Sequence, residues 1–229
     1  MRNRIALLVT LALPLTAQAQ AFQPGRLAAG RDSFQVVYQG QPVGAFVMAL
    51  TKSGDNFTFT GDVHLPQMGV NQTDTIVFNA TTLSPSLITT NAQMGPMSGA
   101  THVTIANGKA TGTSQQPGPN GMQSIVIDTP VAAGVIGDGV DPLLIQTMDL
   151  SDGLSMTYQA FDGKSGKTKS YTLKVAGKET ITVPAGTMEA WKIDLVSDEP
   201  GTIWVSTAEP KKILQLRVDG AQLELRRVK

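Results

Sequence analysis

Phe57-Thr58-Phe59-Thr60-Gly61-Asp62-Val63-His64-Leu65 is the stretch whose reading decides the fold class. Phe57, Phe59, Val63 and Leu65 share one parity, and Thr58, Thr60, Asp62 and His64 take the other. Successive side chains of a strand point to opposite faces, so this period of two marks a half-buried β-strand. The pattern recurs along the chain. Leu154, Met156 and Tyr158 alternate with Ser155, Thr157 and Gln159, and Tyr171, Leu173 and Val175 repeat it. Trp191, Ile193 and Leu195 alternate with Lys192 and Asp194, and Leu214, Leu216 and Val218 with Gln215, Arg217 and Asp219. Heavy use of threonine, 25 residues, suits a pleated surface with one wet face.

Turn chemistry separates the runs at short intervals. Asn107-Gly108 and Asp219-Gly220 are dipeptides that accept φ > 0 at both centres of a type I′ hairpin turn. Ser53-Gly54-Asp55, Asp162-Gly163-Lys164 and Gly166-Lys167 read as looser hairpin tips, and Pro184-Ala185-Gly186 as a break between strands. The expectation is an all-β fold, an antiparallel meander of about 10–12 strands between Ser33 and Val228, forming a half-barrel, barrel or sandwich. One segment departs from it. Asp141 as N-cap and Pro142 at the first helical position, followed by Leu143, Leu144, Ile145 and Met148, predict a helix of about two turns over 141–149. The stretches 93–100 and 112–123 lack alternation and read as loops. Segment 129–153 is expected to join two sub-sheets.

The chain has 229 residues, 41% of them hydrophobic and 16% charged, with no cysteine. Balanced charge, 18 Lys+Arg against 18 Asp+Glu, leaves no basic footprint for nucleic acid. Absence of cysteine excludes disulfides, thiolate catalysis and cysteine-ligated metals. Residues 1–21 read as a bacterial secretory signal peptide, with Arg2 and Arg4, an apolar run from Ile5 to Leu15, and cleavage after Ala19 or Ala21. That run is too short for a membrane-spanning helix, which needs about 20 residues. The expected mature chain, 22–229, is one slightly acidic β domain in the periplasm or secreted, without a transmembrane segment.

Candidate chemistry is sparse. His64 and His102 fall on the wet parity of their strands. Met94 and Met97, with His102, form a weak Cu(I) set of soft thioethers and an imidazole. Asp62, Asp74, Asp128 and Glu189 are too scattered in sequence to define a hydrolase pair. Gly163-Lys-Ser-Gly166-Lys167-Thr168 lacks the first glycine and the following helix of a phosphate loop.

The run from Tyr171 to Leu195, YTLKVAGKETITVPAGTMEAWKIDL, with Thr202-Ile-Trp-Val-Ser206 and Pro210-Lys-Lys-Ile-Leu-Gln-Leu216 after it, resembles an exported bacterial family, the domain of unknown function numbered 3108. Tyr38-Gln-Gly-Gln-Pro-Val-Gly44 and Thr81-Thr-Leu-Ser-Pro85 extend the likeness over about 33–225, and Val-Pro-Ala-Gly-Thr at 183–187 is its most specific piece. The Met- and Gly-rich segment 94–99 departs from many relatives. The resemblance implies an antiparallel half-barrel or barrel akin to periplasmic lipoprotein carriers, with no assigned activity or catalytic residues. Pro184 and Gly186 are expected to shape the turn, and Trp191 and Trp204 to fill a core.

Two functions fit. The first is a non-enzymatic, cofactor-free carrier of an apolar ligand or envelope component, with exposed methionines Met68, Met94, Met97 and Met122 lining its mouth. The second is an envelope interaction protein with a packed interior.

Overall fold

The computed structural model describes residues 22–118 and 121–228; the signal-peptide reading lies outside them. The first half of the chain contributes β1 (Gly30–Tyr38), β2 (Gln41–Ser53), β3 (Asn56–Leu65), β4 (Val70–Asn79), β5 (Pro85–Met94), β6 (Met97–Ala106), β7 (Lys109–Gly118) and β8 (Gly121–Pro130). After a connecting segment with β9 (Ile136–Gly137) and α1 (Asp141–Ile145) come β10 (Ser155–Asp162), β11 (Lys167–Val183) and β12 (Gly186–Val196). β13 (Gly201–Ser206), β14 (Ile213–Val218) and β15 (Leu223–Arg227) complete the fold. All fifteen strands form one sheet, ordered β8 to β1, then β15 down to β9. Each half is a hairpin meander, apart from β9, which pairs parallel with β10, and antiparallel pairing of β1 with β15 joins the halves.

The predicted alternation holds on β3, where Phe57, Phe59 and Leu65 are buried and His64 is exposed. Asn107 and Gly108 both have positive φ, as a type I′ turn requires. Fifteen strands replace the expected 10–12 because both supposed loops are strands. Residues 93–100 contain the end of β5 and the start of β6, and 112–123 the end of β7 and the start of β8. Their inner face there is polar: the Thr101 and Ser114 hydroxyls bond each other at 2.9 Å, and the Gln116 amide donates to both. Buried hydroxyls satisfied by each other replace the apolar parity that sequence reading relies on.

Three further expectations are corrected. Asp219-Gly220 forms a short 3-10 turn, Asp219–Ala221, with the positive φ displaced to Gln222. A register shift between Trp204 and Val205 breaks the alternation of β14. Ile213 and Leu216 therefore pack in the main core, whereas Leu214 joins Trp204 and Ala190 in a separate cluster. α1 is five residues, its N-cap is Val140, and Asp141 lies one position inside it. The chain then turns tightly, Thr147 N–H and Met148 N–H donating to Leu144 and Ile145 carbonyls.

The sheet curls so that its halves meet through side chains. β9 packs on the inner faces of β4 and β5, where a Cβ on Gly137 would lie 2.8 Å from Ile76 Cγ2. Gly163 at the β10–β11 tip meets β5 in the same way, its virtual Cβ 2.7 Å from Ile88 Cγ2. Gly163→Val is accordingly expected to cost about 1–3 kcal/mol through overpacking. Urea unfolding of that variant alone and combined with Ile88→Ala checks the contact. A combined loss smaller than the sum of the two supports it, and strict additivity refutes it.

Candidate functional site

Convergence of the two halves encloses a cleft. Phe46, Phe59, Ile76 and Ile88 supply its apolar floor, from β2, β3, β4 and β5. Asp74 and Thr90 face Asp138, Asp162, Lys164 and Lys169 across a cavity of about 450 Å³. Period-two alternation puts Asp74 on the same face as Ile76, and Thr90 on that of Ile88. The opposing group comes from the β9–α1 turn and the β10–β11 hairpin.

A second chamber, about 180 Å³, adjoins the cleft at Phe46 and Gly139. Phe34, Met48, Ile213, Leu216 and Leu225 line it with Pro142, so its walls are almost wholly apolar. The result is an amphipathic interior, with a charged mouth on one side and a greasy recess on the other. The mouth alone falls within the range typical of small-molecule sites, roughly 300–1,000 Å³.

The charges at the mouth hold one another. Lys169 Nζ lies 3.4 Å from Asp138 and 3.2 Å from Asp162, and Lys164 Nζ 3.4 Å from Asp74. Burial alone would depress the Lys169 ammonium, but the Asp138 and Asp162 carboxylates outweigh it and raise its pKa. Burial likewise works against the charged form of Asp162, and is overcome by hydrogen bonds from Ser165, the Lys164 N–H and Lys169, so its pKa is lowered. Behind this layer, Tyr171 O–H donates to Asp138 at 2.8 Å and Tyr158 O–H to Asp141 at 2.9 Å. The two rings stack at 5.3 Å, and Phe22 packs edge-on against Tyr158 at 5.5 Å. Burial, then repulsion from Asp138, pushes the Asp141 carboxyl up to about 6, even though Tyr158 and the Gly139 N–H donate to it. Burial, then the neighbouring carboxylates, raises both tyrosines.

Pro142 lines the apolar chamber, and Asp141 lies beside it in the buried network. None of Met68, Met94, Met97 and Met122 lines either cavity. They sit at or near the β3–β4, β5–β6 and β7–β8 connections; Met94 pairs with Met97 across its turn, and Met122 with Pro117. Met97 shares the parity of buried Thr101 and Val103, so His102 projects from the opposite face and the three copper candidates do not converge. Among the described residues, no three His, Asp or Glu side chains gather to hold a metal. His64 Nδ1–H donates to the Asn71 Oδ1 at 2.5 Å. Asp62 accepts from Thr73 on the face opposite Asp74, Asp128 pairs with Lys109, and Glu189 is exposed on β12. Trp191 packs on the main core beneath Lys178, and Pro184 and Gly186 stand at the β11–β12 turn.

Asp138, Asp162, Lys164 and Lys169 were not among the sequence candidates. Asp138 reads as part of a Gly-rich turn before the helix, Asp162 and Lys164 as a hairpin tip beside the rejected phosphate-loop likeness, and only curling of the sheet brings them opposite Asp74. A larger groove of about 640 Å³ crosses β3 to β7 and is lined mainly by amides and hydroxyls such as Asn71, Asn91, Gln93 and Ser98. It gathers neither opposed charges nor an apolar recess, and so the internal cleft is the stronger candidate.

The family model for a protein of unknown function (DUF3108) matches residues 33–226, and the chain belongs to that family. No curated protein matches it. Among solved structures it is similar to a beta-barrel-like protein of domain of unknown function DUF1849 from Brucella abortus, with a TM-score of 0.55 and 11% identity. The likeness covers 88% of this chain and 95% of that one, and at this identity it speaks for the fold. No helix among the described residues is long and apolar enough to cross a membrane.

Proposed function

We propose that this member of the family is a non-enzymatic carrier exported to the bacterial periplasm, binding an amphiphile with its apolar end in the curled sheet. The observation that carries this reading is the apolar chamber beside Phe46, which shares Phe46 and Gly139 with the charged mouth next to it. An amphiphile fits because each end meets its own kind of surface: alkyl groups leave water, and a polar head stays among charges. The non-catalytic part rests on the carboxylates having internal partners. Asp138 is held by Tyr171 and Lys169, Asp162 by Ser165 and Lys169, and Asp74 by Thr90 and Lys164.

The test is to purify the protein from cells, extract it with solvent, and examine the extract for lipid by mass spectrometry. Uptake of a fluorescent fatty-acid analogue is measured in parallel. Met48→Trp fills the chamber and is expected to weaken uptake by about tenfold or more, the equivalent of at least ~1.4 kcal/mol. Absence of lipid together with absence of uptake sinks the carrier reading and leaves an interaction protein with a packed interior.

A further inference from the structure

The sheet ends at β8, which among the described residues pairs with β7 alone. The opposite edge, β9, is two residues long and buried, so the two edges are very unequal. β8 runs for ten residues, and the six from Gly121 to Val126 are all exposed. Long edge strands are ordinarily shielded by lysines, prolines, bulges or a covering element, because their free N–H and C=O groups template another strand. β8 has no lysine or arginine, its proline stands at the last position, and its register with β7 is unbroken. Three of its exposed side chains are large and apolar: Val126 is 79% exposed, Met122 47% and Ile125 38%, with Gln123 and Ser124 exposed between them. Its one charge, Asp128, is neutralised within the chain by Lys109 at 2.5 Å.

We propose that β8 is a self-association edge, pairing antiparallel with β8 of a second copy of this chain about a two-fold axis near Ser124. A two-fold normal to the sheet keeps each face of one copy continuous with the same face of the other. Centred on Ser124, it sets Val126 opposite Met122 of the second copy, and the reverse, on one face. Ile125 falls opposite Gln123 on the other. The two Asp128 carboxylates lie at opposite ends of the ladder, so no like charges meet. Pairing supplies roughly one hydrogen bond per paired residue and removes the exposed valine from water. Self-complementarity in both charge and apolar pattern favours a second copy over an unrelated extended peptide. This edge is separate from the cleft, and the proposal stands whether or not the cleft holds a ligand.

Light scattering of the purified protein over a concentration series is expected to give about twice the single-chain mass. Val126→Lys, at a position that touches little else, is expected to return the mass to that of one chain without lowering the melting temperature. The chain has no native cysteine, so one introduced thiol reports the axis independently. Directly opposed strand residues have Cα atoms about 4.5–5.5 Å apart, within disulfide reach. Ser124→Cys is therefore expected to give a disulfide-linked dimer on mild oxidation, whereas Val196→Cys, 49% exposed on β12, is not. A single-chain mass at every concentration overturns the proposal, also if extended peptides then bind the edge. So does a dimer that survives Val126→Lys, or a folded Ser124→Cys that cross-links no better than the β12 control.

Discussion

Replacing Arg227 with methionine is expected to lower stability by about 3–5 kcal/mol, the usual cost of removing one partner from a buried ion pair. Arg227 lies on β15 opposite Phe34 of β1, on the strand pair that joins the two halves of the sheet. Its guanidinium is bound to the Asp32 carboxylate, donates to the Ile213 carbonyl at 3.1 Å, and stands 5.9 Å from the Phe34 ring centre. The side chains are only 10% and 12% exposed, so water cannot take over as partner to the stranded carboxylate. In a chain of this size the loss corresponds to a fall in melting temperature of roughly 6–20 °C. Combining it with Asp32→Leu removes the orphaned charge and is expected to recover most of the loss, because apolar replacement of both partners is often neutral or better. Urea midpoints of the two single variants and the double decide the matter. A change below about 1 kcal/mol in Arg227→Met alone refutes the role given to the pair.

The second large effect concerns Asp141. Its carboxyl is raised from 3.8 to about 6 in the fold, first by burial and then by Asp138. A raised pKa means that the folded protein holds this proton more tightly than the unfolded chain. The stabilisation is complete below about pH 3.8 and disappears as pH rises through about 6. The shift of about two units corresponds to about 3 kcal/mol at most. Asp162 runs the other way: its lowered pKa gives stability present above the ordinary carboxylate range and lost only on stronger acidification. Between pH 4 and 7, then, the Asp141 proton governs. Asp141→Asn retains an oxygen for the Gly139 N–H and a polar partner for Tyr158, but cannot ionise. It is expected to match the wild type near pH 3.5, to exceed it by up to about 3 kcal/mol at pH 8, and to flatten the slope between. Urea unfolding at both pH values checks this. A variant less stable than the wild type at both would show that the carboxylate is an asset in its ionised form.

Much of the strand architecture was legible, because wherever one face is apolar the alternation appears directly in the residues, as in Phe57 to Leu65. It vanished in β7, where Ser114 and Gln116 on the inner face are satisfied by Thr101 instead of by apolar neighbours. It misled at β14, because an irregularity of one residue sends Leu214 to the other side from Leu216. Asp141 and Pro142 pointed to a helix in the right place, but the carboxylate went to Tyr158, a partner seventeen residues away. The candidate site was hidden. Phe46, Asp74, Asp138, Lys169 and Leu216 share no motif or spacing, and each reads on its own as an ordinary strand or turn residue.

By itself the sequence determined the all-β class, most strand faces, the Asn107-Gly108 turn and the position of the one α-helix among the described residues. Those properties follow from sterics within a few residues: the two-residue pleat, positive φ at Asn107-Gly108, and the fixed φ of proline. Only the tertiary structure decided that fifteen strands make one sheet, that β1 and β15 join its halves, and that glycines at 137 and 163 let it curl onto Ile76 and Ile88. Curvature is a sum of small twists over many strands, and where it brings the two ends together depends on contacts such as Gly137 on Ile76 and Gly163 on Ile88, between residues far apart along the chain. The cleft and its charges exist only after that closure, whereas the bare edge at β8 exists because closure by hydrogen bonds is incomplete.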